Sequence, residues 1–119
     1  MRILVIEDTE DNRQILRDLF GTVGYELIEA ETGEEGVTAA ERERPDLILM
    51  DVQLPGIDGY ETTRRIRALP GMEAVPIIAV TSYAFADDRR KAREAGCDDY
   101  VAKPFSPKEL LAKVRQYEK

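Results

Sequence analysis

Three short runs in this chain are apolar at every position: residues 3–6 (ILVI), 47–50 (LILM) and 77–80 (IIAV). Runs of this length with no polar alternation suit strands buried on both faces, as in a parallel sheet covered by helices. Two weaker stretches read as edge strands, the alternating 25–30 (YELIEA) and the short 99–102 (DYVA). Between the strands the period becomes helical. Ile15, Leu16, Leu19, Phe20 and Val23 predict one buried helix face that ends near Gly24. Thr32 with Glu35, and Asp58 with Glu61, have capping-box spacing at the starts of a second and a third helix. The second helix stops before Pro45. A fourth is predicted over about 84–95, ended by Gly96; its apolar face is thin and mostly alanine. Leu110, Leu111, Val114 and Tyr117 form the stripe of a fifth. Five strand–helix repeats with right-handed crossovers predict an α/β fold, a five-stranded parallel doubly wound sheet with helices on both faces.

Composition narrows the function. The 119 residues suit one domain over 1–119, and 43% hydrophobic with 34% charged residues reads as globular. There is no histidine, which removes most zinc sites, Ser-His-Asp triads and histidine general bases. Cys97 is the only cysteine, so no internal disulfide forms; it reads as a small buried residue. The formal charge of −7 repels phosphate backbones and argues against direct nucleic-acid binding. The opening MRILVIED is no signal peptide, and the apolar runs are too short to insert in a membrane, so the expected location is cytoplasmic.

In an open α/β sheet, ligands bind beyond the carboxyl ends of the strands. Past the first run come Glu7 and Asp8; past the third strand comes Asp51; past the fourth come Thr81 and Ser82; past the fifth come Lys103 and Pro104. Three acids, two hydroxyls and an amine gather at one sheet edge, with Asp51 at the rim of the core rather than inside it. Glu31, after the second strand, reads as a surface residue with no such partner. Neighbouring carboxylates resist ionising together unless a cation joins them. Lys103 supplies one charge, and an all-oxygen site favours Mg²⁺, Mn²⁺ or Ca²⁺ for the rest. The alternation of Asp8, Glu10 and Asn12 suggests an EF-hand loop, but Arg13 and Leu19 stand where that loop needs glycine and glutamate.

Taken together, ED after the first strand, DVQLPGIDG after the third, TS after the fourth and KP after the fifth resemble the receiver domain of two-component response regulators, across essentially the whole chain. The resemblance implies a flavodoxin-like strand order of 2-1-3-4-5. It implies that Asp51 is the phosphoacceptor, taking a phosphoryl group from a sensor histidine kinase or a histidine phosphotransfer protein. Asp8, Asp51 and the Gln53 carbonyl would hold Mg²⁺, with Glu7 acting through water. Lys103 and Thr81 would bind phosphoryl oxygens, the Lys103–Pro104 bond would be cis, and Thr81 with Tyr100 would form the switch. Gln53 and Tyr83 would tune phosphate lifetime. The helix 4, strand 5 and helix 5 surface would then control a downstream effector protein, with a phosphorylation-dependent dimer left open. The protein would be a signalling phosphoacceptor that catalyses its own phosphorylation and slow dephosphorylation, and a stand-alone regulator.

Each residue also has a plainer reading. Asp58 is read as an N-cap and Gly56 and Gly59 as turn formers. Arg42–Arg44, 87–91 and the row Arg64, Arg65, Arg67 are read as solvated faces, the last with a docking patch as the sharper option. Rival functions fare worse. An aspartyl-phosphate hydrolase of the dehalogenase-like type wants an acid where Gln53 stands. A flavin carrier wants a Ser/Thr/Gly-rich loop where this chain has EDTEDN. A non-phosphorylated interaction module on this fold usually loses an acid or the lysine, and this chain keeps them.

Overall fold

A computed structural model describes residues 1–82 and 86–118. In these the strands are β1 (Arg2–Ile6), β2 (Glu26–Ala30), β3 (Leu47–Asp51), β4 (Ile77–Thr81) and β5 (Asp99–Ala102). The helices that alternate with them are α1 (Glu10–Gly21), α2 (Gly33–Glu43), α3 (Gly59–Arg67), α4 (Ala86–Ala95) and α5 (Pro107–Arg115). All strand pairs are parallel, in the order β2-β1-β3-β4-β5. The expected doubly wound sheet and its strand order are therefore both present.

Why the central strands lack polar alternation is now plain. Side chains alternate across a strand, and each face of this sheet is covered. Leu4, Ile6, Ile48, Met50, Ile77 and Ala79 pack with Ala39 and Ala40 of α2, Ile66 of α3 and Ala92 of α4. Ile3, Val5, Leu47, Leu49, Ile78 and Val80 pack on the other face with Leu16 and Phe20 of α1 and Leu110 and Val114 of α5. Each fully buried Ile or Leu contributes about 1.5–3 kcal/mol of transfer free energy. Among the described residues no helix is long and apolar enough to cross a membrane.

Several local expectations change. Ile15 is 51% exposed, and the buried stripe of α1 is Arg13, Leu16 and Phe20. Helix α1 ends at Gly21, and the turn that follows places Gly24 at φ 78°. Strand β2 does not alternate cleanly, because Leu27 and Ile28 are both half-buried. Thr32 caps α2 by accepting from the Glu35 N–H at 3.1 Å. The Glu35 carboxylate accepts from the Glu31 N–H instead of closing the box on Thr32. Asp58 caps α3 as expected, at 2.9 Å from the Glu61 nitrogen. Gly59 is not a turn former. A Cβ there would lie 2.6 Å from Val52 Cα and 2.7 Å from the Asp51 carbonyl oxygen, so only glycine lets α3 abut the end of β3. Arg67 is not plain surface either; its guanidinium donates to the carbonyls of Met72, Val75 and Gly96 and pairs with Asp98 at 2.8 Å. The predicted start of α4 at 84 and the candidate Tyr83 lie outside the described residues.

Candidate functional site

Four strand ends meet where the acids were expected. Asp51 is the last residue of β3, in register with Val80 of β4. The ladder continues one step, with the Val52 N–H on the Val80 carbonyl at 3.3 Å and the Gly59 N–H on the Val52 carbonyl at 2.9 Å. These bonds fix the backbone just past Asp51. Its Oδ1 accepts from the Gln53 N–H at 2.9 Å, and Lys103 Nζ stands 3.2 Å from its Oδ2. Asp51 was expected at the rim of the core rather than inside it; it does end its strand there, but it is buried, only 5% exposed.

Glu7, just past β1, is also buried, and its Oε2 lies 3.7 Å from Lys103 Nζ. Asp8 follows and is exposed. Glu7, Asp8 and Asp51 each offer a carboxylate oxygen within 4.8 Å of the others. Lys103 is brought in by β5: its N–H donates to the Thr81 carbonyl at 2.7 Å, and the Lys103–Pro104 peptide is cis. Thr81 ends β4 and is fully buried, while Ser82 and Gln53 are exposed. Two clefts flank the acids. One of about 490 Å³ runs along Glu7, Asn12, Ile15, Lys103 and Phe105. The other, about 470 Å³, runs along Asp8, Gln53, Asp58, Tyr60 and Lys91.

The electrostatics show what the site lacks. Glu7 is pushed up from 4.5 to about 7, chiefly by burial and then by Asp51, against the lowering effects of the Asn12 amide and Lys103. One ammonium does not balance three crowded carboxylates. An oxygen-only donor set with a charge deficit suits a hard divalent cation and no soft one.

Tyr100 on β5 buries its hydroxyl without a hydrogen bond of normal geometry among the described residues. Burial raises its pKa, helped by Asp88 and opposed by Arg89 and the Thr81 side chain. The Arg89 guanidinium sits 5.4 Å from the ring centre. The ring thus packs between the end of β4 and α4, with its polar tip inside.

The sequence reading missed two neighbours of Glu7. Asn12 donates to Glu7 Oε1 at 2.6 Å, and Arg13 donates to the Glu7 carbonyl at 2.7 Å. Glu31 is exposed as expected, but it does have a partner, Arg13, at 3.1 Å. One signal pointed to Arg13: it stands three residues before Leu16 and seven before Phe20, on the buried stripe of α1.

Known proteins are similar to this chain in sequence and fold. A family model described as the response regulator receiver domain matches residues 3–115. The polar-differentiation response regulator DivK of Brucella anthropi is 37% identical over 115 residues, covering 97% of this chain and 94% of that protein. Among solved structures, the receiver domain of a sensor histidine kinase from Pseudomonas aeruginosa PAO1 superposes with a TM-score of 0.90 at 40% identity. That match covers 98% of this chain and 95% of the other, which has a magnesium ion coordinated in its active-site cleft. The Vibrio cholerae chemotaxis protein CheY4 superposes with a TM-score of 0.94 at 26% identity over 98% of both chains.

Proposed function

Because this chain belongs to the response regulator receiver domain family, we propose that it accepts a phosphoryl group on Asp51. The observation that carries the proposal is the Lys103 ammonium 3.2 Å from a buried Asp51 carboxylate, beside two further acids. An Asp51 oxygen attacks the phosphorus of a phosphohistidine on a sensor histidine kinase or phosphotransfer protein. The new P–O bond forms as the P–N bond breaks, and the imidazole leaves with the electron pair. Lys103 meets the charge on the phosphoryl oxygens, and Thr81 offers them a hydroxyl. Asp8 and Asp51, with the Gln53 carbonyl and with Glu7 through water, would hold Mg²⁺, which supplies positive charge against those same oxygens.

The aspartyl phosphate adds about −1.5 to −2 charges and three strong acceptors. Thr81 and Tyr100 relay that change to α4, β5 and α5, the surface that binds an effector protein. A phosphorylation-dependent dimer through that surface is compatible with this reading. Gln53, two residues past the acceptor, sets the rate of self-catalysed hydrolysis together with Tyr83, which lies outside the described residues. The receiver unit is residues 1–119, working in the cytoplasm without direct contact to nucleic acid or membrane. The test is intact mass after incubation with Mg²⁺ and acetyl phosphate. One added phosphoryl group is expected, absent with EDTA and in Asp51→Asn. No gain from acetyl phosphate or from a phosphohistidine donor, with folded protein, would sink the proposal.

A further inference from the structure

The strongest unexplained feature of the molecule is a buried arginine beside its acids. Arg13 is 5% exposed, in the first turns of α1. Its Nη1 donates to the Glu7 carbonyl at 2.7 Å. Its Nη2 reaches Glu10 at 2.6 Å and Glu31 at 3.1 Å, and its Nε lies 3.3 Å from Glu29. One planar fork therefore ties the end of β1, the start of α1 and the end of β2 to one another. The loop it ties is the one that presents Glu7 and Asp8.

Other contacts hold the Glu7 N–H and carboxylate, but on its carbonyl the side chain that donates is Arg13. Thr9, the N-cap of α1, makes no side-chain capping bond. The Glu7 N–H is spoken for by the Ala30 carbonyl at 3.0 Å. With Arg13 on its carbonyl, the Glu7 peptide is fixed on both sides, and Asn12 then fixes the carboxylate at 2.6 Å. Asp8, the next residue along this backbone, is exposed.

Resting on the proposed metal-binding role of the acid pair, we infer that Arg13 is a positioning residue for the cation site. It touches neither cation nor phosphoryl group and acts through the Glu7 backbone. This role makes a prediction opposite in sign to simple electrostatics. Removing a positive charge near a cation site strengthens cation binding by Coulomb's law. Removing a support of the ligands weakens it, by about tenfold or more when an outer-shell partner is lost.

The experiment is Mg²⁺ titration of the full chain by calorimetry, with a thermal melt on each variant to establish that it is folded. Arg13→Met is expected to bind Mg²⁺ about tenfold more weakly than wild type. Arg13→Lys is expected to bind more weakly too, since one ammonium cannot span a carbonyl and three carboxylates. Arg17→Met is the control. Arg17 pairs with Glu10 and Glu29 from the solvent side and does not contact Glu7. It should leave Mg²⁺ affinity unchanged or slightly tighter. An Arg13→Met that binds as well as wild type, or an Arg17→Met that loses as much, overturns the inference. If Arg13→Met does not fold, Arg13→Lys decides by the same criterion. A wild type that takes up no Mg²⁺ overturns the metal reading itself, and this inference with it.

Discussion

Helices α3 and α4 line the same cleft beside the acids, yet they are held very differently. Helix α3 is capped by Asp58, abuts the Asp51 backbone through Gly59, and buries Thr62, Thr63 and Ile66 completely. Helix α4 buries only Ala92 and Ala95. Its ion pairs, Arg90 with Asp87 and Glu94 and Lys91 with Asp87, are all exposed, and such pairs contribute little. The Arg67 fork ties Gly96, just past the end of α4, back to α3. Helix α4 is thus anchored at its C-terminal end and lightly packed along its length. Elements with few buried apolar contacts open most easily. Helix α3 is the wall behind Asp51, and α4 is the more lightly held side of the cleft.

The sharpest way to break this comparison is to truncate each helix where it meets the core. Ile66→Ala should cost about 2–5 kcal/mol in urea unfolding, whereas Ala92→Gly should cost only about 1 kcal/mol. Equal losses would mean that α4 is as firmly docked as α3. A smaller effect is expected from Gly59→Ala, about 1–3 kcal/mol of overpacking. Because the clash is with the Asp51 and Val52 backbone, this variant should also slow phosphorylation by acetyl phosphate, and an unchanged rate would show that the wall does not position the acceptor.

The smallest effect concerns Glu7, the buried acid just past β1. Glu7 is raised from 4.5 to about 7 in the folded chain. Between those values the folded state holds the extra proton, so stability in metal-free buffer falls as pH rises from about 4.5 to 7. After solvent screening at the cleft this amounts to something on the order of 1 kcal/mol. Melts in EDTA across that window should show the decline, and Glu7→Gln should flatten it. A stability that climbs through the window would place the load elsewhere.

Much of this was legible in residue order because the relevant signals are local. Continuous apolar runs marked β1, β3 and β4, and residues past strand ends in a parallel sheet must share one edge, so Glu7, Asp8, Asp51, Thr81 and Lys103 could be grouped before any coordinate. The misses were of another kind. Ile15 was assigned to the core because it is apolar, and Arg13 was noted only as an obstacle to an EF-hand loop; in the folded chain Ile15 is exposed and Arg13 is buried. The Glu35 carboxylate turned to the Glu31 N–H, one residue away from the spacing rule.

The sequence by itself determined the sheet, its two covered faces and the list of chemical groups at its carboxyl edge, since periodicity and strand polarity are properties of the chain. Only the tertiary structure decided that Asp51 is buried, that Gly59 must be glycine and that Arg13 grips the Glu7 carbonyl. Those facts depend on the distance between segments far apart in sequence, and on burial that turns a surface ion pair into a structural one.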